Sequence, residues 1–188
     1  MAQVIQFEAH AVARLRERLG AIEETNEDLI AFARGHCGAV ATIHAAALEA
    51  VGAASIDELL AVVTGRWPDI LGIDVAAIAL IVGDSGFRAD SSGIEPVEPS
   101  FVERMLRRAP PVEVRTVSSG HALFGPSQAD AIRAEALIRI DSRAPYPAGL
   151  LALGQRAELE IGNSHGSELL LFLGRIVEAA LRRCVAAA

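Results

Sequence analysis

The longest apolar run in the sequence, Val75 to Val82, constrains the fold most, because it is hydrophobic on both faces of an extended strand. Such a strand must be covered on both sides, so it belongs in the centre of a sheet with further layers packed against it. It is also far shorter than the roughly 18 apolar residues that a membrane-spanning helix needs. We therefore expect a globular protein that does not enter the membrane.

Length and composition agree with this expectation. The chain has 188 residues, 52% of them hydrophobic, which suits one domain with a well-filled core plus an appendage. Its first residues, MAQVIQFEAH, show no basic segment leading into an apolar run, so no secretion signal is expected. We expect a cytoplasmic protein whose two cysteines, Cys37 and Cys184, are free thiols.

The charge balance argues against nucleic acid as a partner. The formal net charge is −7, whereas nucleic-acid binding depends on cationic side chains that neutralise phosphates. The nearest approach to a basic patch is Arg104, Arg107 and Arg108, which we interpret as the solvated face of a helix. The histidines never stand at metal-ligand spacing with a second ligand type, so neither a metal nor a cofactor is expected.

A heptad pattern runs through the first third of the chain. The positions that alternate at spacings of three and four are Val12, Leu15, Leu19, Ile22, Asn26, Leu29 and Ala33. Between 12 and 29 no large aliphatic residue stands off this stripe, and so narrow a stripe suits a partner helix better than a globular core. We predict that these residues form the interface of a parallel homodimeric coiled coil; the alternative is a helix that packs on its own domain.

Asn26 gives the coiled coil a defined register. If Val12 is at position a, Asn26 is also at position a, where a buried Asn pairs with its mate across the dimer. Arg18 and Glu23 then take positions g and e and can pair between the helices. We hypothesise that a change at the sheet alters the register or rotation of this coil, and that the output passes to a separate protein.

Turn and capping motifs divide residues 52–188 into helices and strands. The sequences SIDE at 55–58 and SFVE at 100–103 are capping boxes, which predict helices that start after Ser55 and Ser100. Further predicted elements are strands over 75–82, 87–92, 112–117, 134–140 and 148–154, loops over 83–86 and 118–128, and a helix over 166–185. This order predicts an α+β fold with an antiparallel sheet, terminal helices on one face, and the middle helix and second loop on the other.

The order of elements, with long helices at both ends, resembles a GAF domain, the sensory cousin of PAS domains. The local sequence is closest to domain-of-unknown-function family 484, whose bacterial members carry a coiled coil before a GAF-like domain. The similar segments are NE (26–27), LG (71–72), VAAIAL (75–80), GHALFG (120–125), AEALI (134–138), GLLALG (149–154), LG (173–174) and Leu181. The resemblance implies a coiled-coil segment over 1–51 and a GAF-like domain over 52–188, and no particular activity.

The sequence departs from that family at three places. The His-Pro of the opening helix is absent, HGS at 165–167 replaces Met-Gly-Thr, and IRI at 138–140 replaces Ile-Pro-Leu. No nucleophile elbow, phosphate loop, zinc-protease helix or pair of loop carboxylates is present. The turn at 83–86 explains Ser85 without chemistry. We therefore expect no enzymatic activity.

By the resemblance, a pocket is expected between the sheet and its covering segments, here 87–92 and 101–128. The candidates to line it are Arg88, Phe101, Arg115, His121, Phe124 and Arg139. If the arginines converge, they favour an anionic ligand such as a nucleotide or carboxylate; otherwise they point into solvent from strand edges. The sequence thus predicts a sensory or regulatory module that binds a small ligand. The alternative is a dimerisation and protein-interaction scaffold with a filled pocket.

Overall fold

The computed structural model describes residues 37–142, 145–157 and 164–186. By internal contacts the chain divides into two compact units, 1–41 and 42–188. Ile43, Ala46 and Ala50 are buried in the core of the second unit, and the boundary expected at 51/52 stays a prediction. The interface residues predicted between 12 and 33 lie outside the described residues, so the parallel coiled coil stays a prediction.

Three helices precede the sheet in the part of the chain that the structure describes. They are α1 (37–52), α2 (Ile56–Ala61) and α3 (Trp67–Leu71), with a π-helical turn, Val62–Arg66, between the last two. Ser55 caps α2 as predicted, since its Oγ accepts the Glu58 N–H at 3.2 Å. The Glu58 carboxylate, predicted to accept the Ser55 N–H, accepts the Ala54 N–H at 2.7 Å instead. Gly72 ends α3 with a φ of 66°, a conformation that favours glycine.

The sheet has six antiparallel strands in the order β3-β2-β1-β6-β5-β4. The strands are β1 (Val75–Val82), β2 (Ser85–Asp90), β3 (Gly93–Val97), β4 (Val112–Thr116), β5 (Ala134–Ile140) and β6 (Ala148–Gln155). The apolar run Val75–Val82 is therefore a central strand, as predicted. Between β3 and β4 lies α4 (Pro99–Leu106), and the chain then forms a 3-10 turn (Ala122–Phe124), α5 (Pro126–Ala129) and the long α6 (Ser164–Ala186).

One face of the sheet, here called the helical face, is closed by α1, α2, α3 and α6. Alternate strand residues such as Ile78, Ile138 and Leu151 pack there against buried residues of the helices. Trp67 is fully buried in this layer, and its Nε1–H donates to the Ala46 carbonyl at 3.0 Å. The terminal helices thus cover one face, as the order of elements predicted.

The opposite face, here called the cleft face, is covered by α4 and the segment that follows β4. The residues buried between them are Val75, Ala77, Ala79, Val102, Leu123, Phe124, Ile132, Leu137, Leu150 and Ala152. The middle helix and the 118–128 loop therefore cover the second face, and the α+β class with its antiparallel sheet is confirmed. None of the helices in the described residues is both long and apolar enough to span a membrane.

Three local predictions need correction. Helix α4 begins at Pro99, with Glu98 as N-cap, rather than after Ser100, because proline suits the first helical position. The hairpin turn is shorter than 83–86, since Ser85 and Gly86 pair with β1. The edge strand β3 was not predicted; its sequence, GIEPV, is largely exposed and carries a proline, which a strand tolerates at a sheet edge.

Candidate functional site

A cleft of about 790 Å³ opens between α4 and the β6-β5-β4 end of the cleft face. Ligand pockets in proteins commonly measure about 300–1,000 Å³. The residues that line this cleft are Phe101, Arg104, Met105, Arg107, Arg108, Ala109, Glu113, Arg115, His121, Leu137 and Leu150. The lining therefore combines apolar side chains from α4 and the sheet with a strong excess of arginine.

The apolar part of the lining comes from two sides. Phe101 and Met105 stand one helical turn apart on α4, and Leu137 and Leu150 project from β5 and β6. The two α4 side chains are partly buried against the core of the cleft face, whereas Leu137 and Leu150 are almost fully buried. Together they give the cleft an apolar surface on which the body of an organic molecule can pack.

Three arginines, here called the arginine row, lie along the end of α4. Arg104 belongs to the last turn of the helix, and Arg107 and Arg108 directly follow it. Cations are favoured near the C-terminus of a helix, where the unpaired carbonyl groups carry partial negative charge. The Arg104 Nη1 donates to the Ser100 hydroxyl at 3.3 Å, and no carboxylate of the described residues pairs with any member of the row.

A buried ion pair closes the other side of the cleft. The Glu135 side chain is 0% exposed, and its Oε1 lies 2.7 Å from both Nε and Nη2 of Arg115, its neighbour across the β4–β5 ladder. The second oxygen, Oε2, accepts the backbone N–H of His121 at 2.6 Å. Both carboxylate oxygens are therefore satisfied, which a buried charge requires. Burial lowers the pKa of Arg115, but its hydrogen bonds to Glu135 and the nearby carboxylates outweigh this and raise it.

His121 connects this ion pair to the 3-10 turn. Its Nδ1 accepts the Leu123 N–H at 3.2 Å, so in the neutral ring the proton is on Nε2. Burial is the largest influence on the pKa of His121 and lowers it, with Arg115 acting in the same direction and Glu135 opposing. His121 thus lines the cleft as a neutral imidazole that can donate one hydrogen bond to a ligand.

The segment that carries His121 is fixed at a second point. The Arg88 guanidinium, on β2, donates to the Leu123 carbonyl at 3.1 Å and pairs with Asp90 and Glu95 at 3.0 Å each. Gly125, at a φ of 75°, passes so close that an added Cβ would lie 2.7 Å from Arg88 Nη1. Glu135 and Arg88 therefore anchor the segment from both sides of the turn, which gives the cleft a preformed wall.

Comparison with protein families gives one match that covers almost the whole chain. The model described as "Protein of unknown function, DUF484" matches residues 1–186. The chain belongs to the DUF484 family. A comparison with curated proteins gives no match.

The fold of this DUF484 protein is similar to solved GAF domains. The nlh2 GAF domain of A. aeolicus, in an inactive state, superposes with a TM-score of 0.56 and 10% identity, over 78% of this chain and 97% of that one. The free methionine-R-sulfoxide reductase of Neisseria meningitidis, solved with its substrate, superposes with a TM-score of 0.54 and 12% identity, over 78% of this chain and 90% of that one. The R. palustris bacteriophytochrome RpBphP3 superposes with a TM-score of 0.53 and 13% identity over 78% of this chain. The match spans only 38% of the phytochrome chain. At these identities the likeness shows a GAF fold.

The structure of the DUF484 domain brings three of the predicted pocket residues together. Phe101, Arg115 and His121 line one cleft. Phe124 is fully buried in the core of the cleft face, and Arg88 is bound to the Leu123 carbonyl. Neither side chain therefore reaches the cleft. Arg139 stays at the rim, where it binds Asp141 at 2.8 Å and the Ala109 carbonyl at 3.1 Å.

Sequence reasoning missed most of the polar lining on α4. Arg104, Arg107 and Arg108 are exposed, as predicted for a solvated face, but they also line the cleft. Their spacing of three and seven residues from Phe101 was the available indication that Arg104 and Arg108 lie on its side of the chain. Glu135 was also missed, although a lone acid in an otherwise apolar strand requires a cationic partner.

The chemistry of the cleft is set by its arginines, one glutamate, one histidine and apolar side chains. Its lining contains no serine, threonine or cysteine, and its titratable members besides arginine are Glu113 and His121. Across residues 37–142, 145–157 and 164–186, no three side chains of His, Cys, Asp or Glu are grouped as a metal site would need. What the arrangement can do is bind: it offers many hydrogen-bond donors, one partly exposed carboxylate and an apolar surface.

Proposed function

We propose that this DUF484 protein is a non-enzymatic, GAF-like sensory or regulatory module that acts as a homodimer and binds a small anionic molecule in the cleft. The single observation that carries the proposal is the arginine row beside the apolar lining. Guanidinium groups without carboxylate partners bind carboxylates and phosphates through paired N–H donors. The proposed partners are therefore a small molecule and a second copy of the chain, without nucleic acid or membrane.

Preorganisation of the cleft supports this proposal. The Glu135 carboxylate holds Arg115 and the backbone of His121, and Arg88 holds the Leu123 carbonyl, so one wall needs no rearrangement on binding. A ligand that meets a preformed site spends less free energy on ordering side chains. A filled pocket, in contrast, would be expected to contain apolar packing alone.

The similar structures support a small-molecule role in a limited way. The N. meningitidis reductase is described in complex with its substrate, and the matching part of RpBphP3 is also described as a chromophore-binding domain. Both place a ligand-handling protein on the GAF fold, and folds of this kind host many functions. The absence of Ser, Thr and Cys from the cleft lining of the DUF484 domain favours binding over catalysis.

A second candidate function rests on exposed apolar side chains of the outer helices. Leu48 is 73% exposed on α1, and Phe172, 42% exposed on α6, makes an edge-to-face contact with His44 of α1 at 6.3 Å. Large apolar residues that share an exposed surface often mark a protein contact. The alternative function is therefore a dimerisation and protein-interaction scaffold, for which the cleft would be incidental.

Native mass spectrometry combined with light scattering on the full chain separates the two candidates. We expect a dimer that carries extra mass from a bound small molecule when the protein is purified gently from cells. The matched control is the R104Q/R108Q variant, which should keep the dimer and lose the extra mass. A dimer with no added mass, before and after incubation with small phosphates and carboxylates, would favour the scaffold, and a monomer would contradict the dimeric module.

A further inference from the structure

The charges in the cleft are separated into two groups rather than mixed. The arginine row forms one side, where no described carboxylate pairs with Arg104, Arg107 or Arg108. On the other side Arg115 is shared between two carboxylates, Glu135 at 2.7 Å and Glu113 at 3.1 Å. That second group therefore has a formal charge of about −1, because two acids outnumber one arginine.

Glu113 is the acid of this group that a ligand can reach. Its Oε1 accepts from Arg115 Nη1, and its Oε2 accepts no hydrogen bond from any residue that the structure describes. The Glu113 side chain is 35% exposed and lines the cleft, whereas Glu135 is fully buried and fully occupied. His121, on the same side, is neutral and adds a hydrogen-bond donor without adding charge.

The apolar lining lies in the same cleft as both charged groups. Phe101 and Met105 lie on α4 beside Arg104, and Leu137 faces Glu113 directly across the β4–β5 ladder. A molecule that contacts the arginine row and Glu113 together must therefore carry an apolar body between its two polar ends. A compact ion such as phosphate would use the arginine row alone.

We infer that the cleft takes a zwitterionic organic ligand, with a phosphate or carboxylate at the arginine row and an ammonium group at Glu113. This inference rests on the proposed binding function and specifies its ligand class. The ammonium group donates to the free Oε2 of Glu113, and the apolar body packs on Phe101, Met105 and the sheet leucines. A plain anion of the same size meets the same arginines but leaves Oε2 of Glu113 without a partner, so it binds more weakly.

Two probes of equal shape test this inference by isothermal titration calorimetry on the full chain. 4-(Aminomethyl)phenyl phosphate and para-ethylphenyl phosphate share the phosphate and the aromatic body, and they differ by an ammonium group in place of a methyl group. We expect the ammonium-bearing probe to bind about twofold to fivefold more tightly, the range of a partly exposed ion pair at a fixed site.

The E113Q variant should abolish that preference, because its amide retains an acceptor for Arg115 and loses the charge that attracts the ammonium group. The matched control is E49Q, which removes one charge from a glutamate that is similarly exposed and also pairs with an arginine, Arg66, on the helical side of the domain. E49Q should keep the preference of the wild type. R108Q should lower the affinity for both probes by a similar factor. An unchanged thermal unfolding midpoint shows that each variant is folded.

The outcomes separate the inference from the function on which it rests. A wild-type preference that E113Q removes and E49Q keeps supports the zwitterionic ligand class. Equal binding of both probes to the wild type overturns it while the anion-binding function stands, and so does a preference that E113Q leaves intact. Binding of neither probe at millimolar concentration contradicts the proposed function, and the inference with it.

Discussion

The two faces of the sheet are built from the same strands, but one is fully covered and the other opens into a cleft. On the helical face, alternate residues of β1, β5 and β6 meet a continuous layer of helices, with Trp67 and Leu59 fully buried between them. On the cleft face the intervening residues meet only the short α4 and the 3-10 turn, and beyond Leu137 and Leu150 the layer opens. One face is closed by apolar packing, and the other is partly closed by ion pairs.

This difference indicates where stability and binding are located in the domain. Apolar burial contributes roughly 25 cal/mol for each Å² removed from water, so the closed face should carry most of the folding free energy. The cleft face has buried charges that must be paired, and such pairs add little net stability while fixing geometry. We therefore expect substitutions on the helical face to affect folding, and substitutions in the cleft to affect binding.

The largest expected effect is on the helical face. Trp67→Ala removes a fully buried ring and its hydrogen bond to the Ala46 carbonyl, and should lower the free energy of unfolding by about 3–5 kcal/mol. Phe101→Ala, an aromatic truncation on the cleft side, should cost only about 1–2 kcal/mol because the ring is partly buried. Urea denaturation of both variants measures the contrast, and equal losses would contradict the division of roles.

The second largest expected loss of stability concerns the ion pair between Arg115 and the buried Glu135. Glu135→Gln weakens the contacts to Arg115 and to the His121 N–H, and should lower the free energy of unfolding by about 1–3 kcal/mol. The loss stays below that of a fully enclosed pair because the Arg115 side chain is 41% exposed and can be hydrated. Glu113→Gln, which changes the other carboxylate that pairs with Arg115, is the control and should change stability by less than about 0.5 kcal/mol.

A third prediction separates binding from folding. The double change Arg104→Gln and Arg108→Gln removes two exposed guanidinium groups, so the thermal midpoint should hardly move. The affinity for small phosphates should fall about tenfold or more, because charge-assisted hydrogen bonds are lost. Calorimetric titration gives both dissociation constants. Unchanged phosphate affinity would mean that the row is only a solvated helix end.

The smallest expected effect is a pH dependence of the free energy of unfolding. The pKa of His121 is lowered in the folded protein, mainly by burial, so the unfolded chain binds more protons between that value and the ordinary 6.5. Stability should therefore be lost as the pH falls below about 6.5. His121→Asn keeps an acceptor for the Leu123 N–H and does not titrate. Its free energy of unfolding should depend less on pH than that of the wild type, and identical pH profiles would contradict this.

Much of the fold was predictable because hydrophobic pattern and capping chemistry are local. The apolar run at β1, the bounds of β5 and the Ser55 cap all follow from neighbouring residues, and the structure confirms them. The edge strand β3 was not predictable in this way, since an exposed strand with Pro96 lacks apolar alternation. Its position depends on pairing with β2, which is information from outside the segment.

The candidate site shows the same limit more clearly. Alternation indicates that Arg88 and Arg115 each point away from the apolar side of their strands, but it does not give the order of the strands in the sheet. Because three strands, β1, β6 and β5, lie between β2 and β4 in that order, the two arginines do not share one cleft. Arg88 instead pairs with Asp90 and anchors the 3-10 turn. Convergence of side chains is a tertiary property that strand patterns alone do not determine.

The measurement that tests the central claim most directly is an NMR titration of the isotope-labelled full chain with para-ethylphenyl phosphate. The account predicts that resonances of the cleft, such as Arg108, His121 and Leu137, shift with the phosphate concentration, while those of the helical face stay in place. Shifts confined to exposed residues of α1 and α6, such as Leu48 and Phe172, or no shifts at millimolar probe, would contradict a binding site on the cleft face.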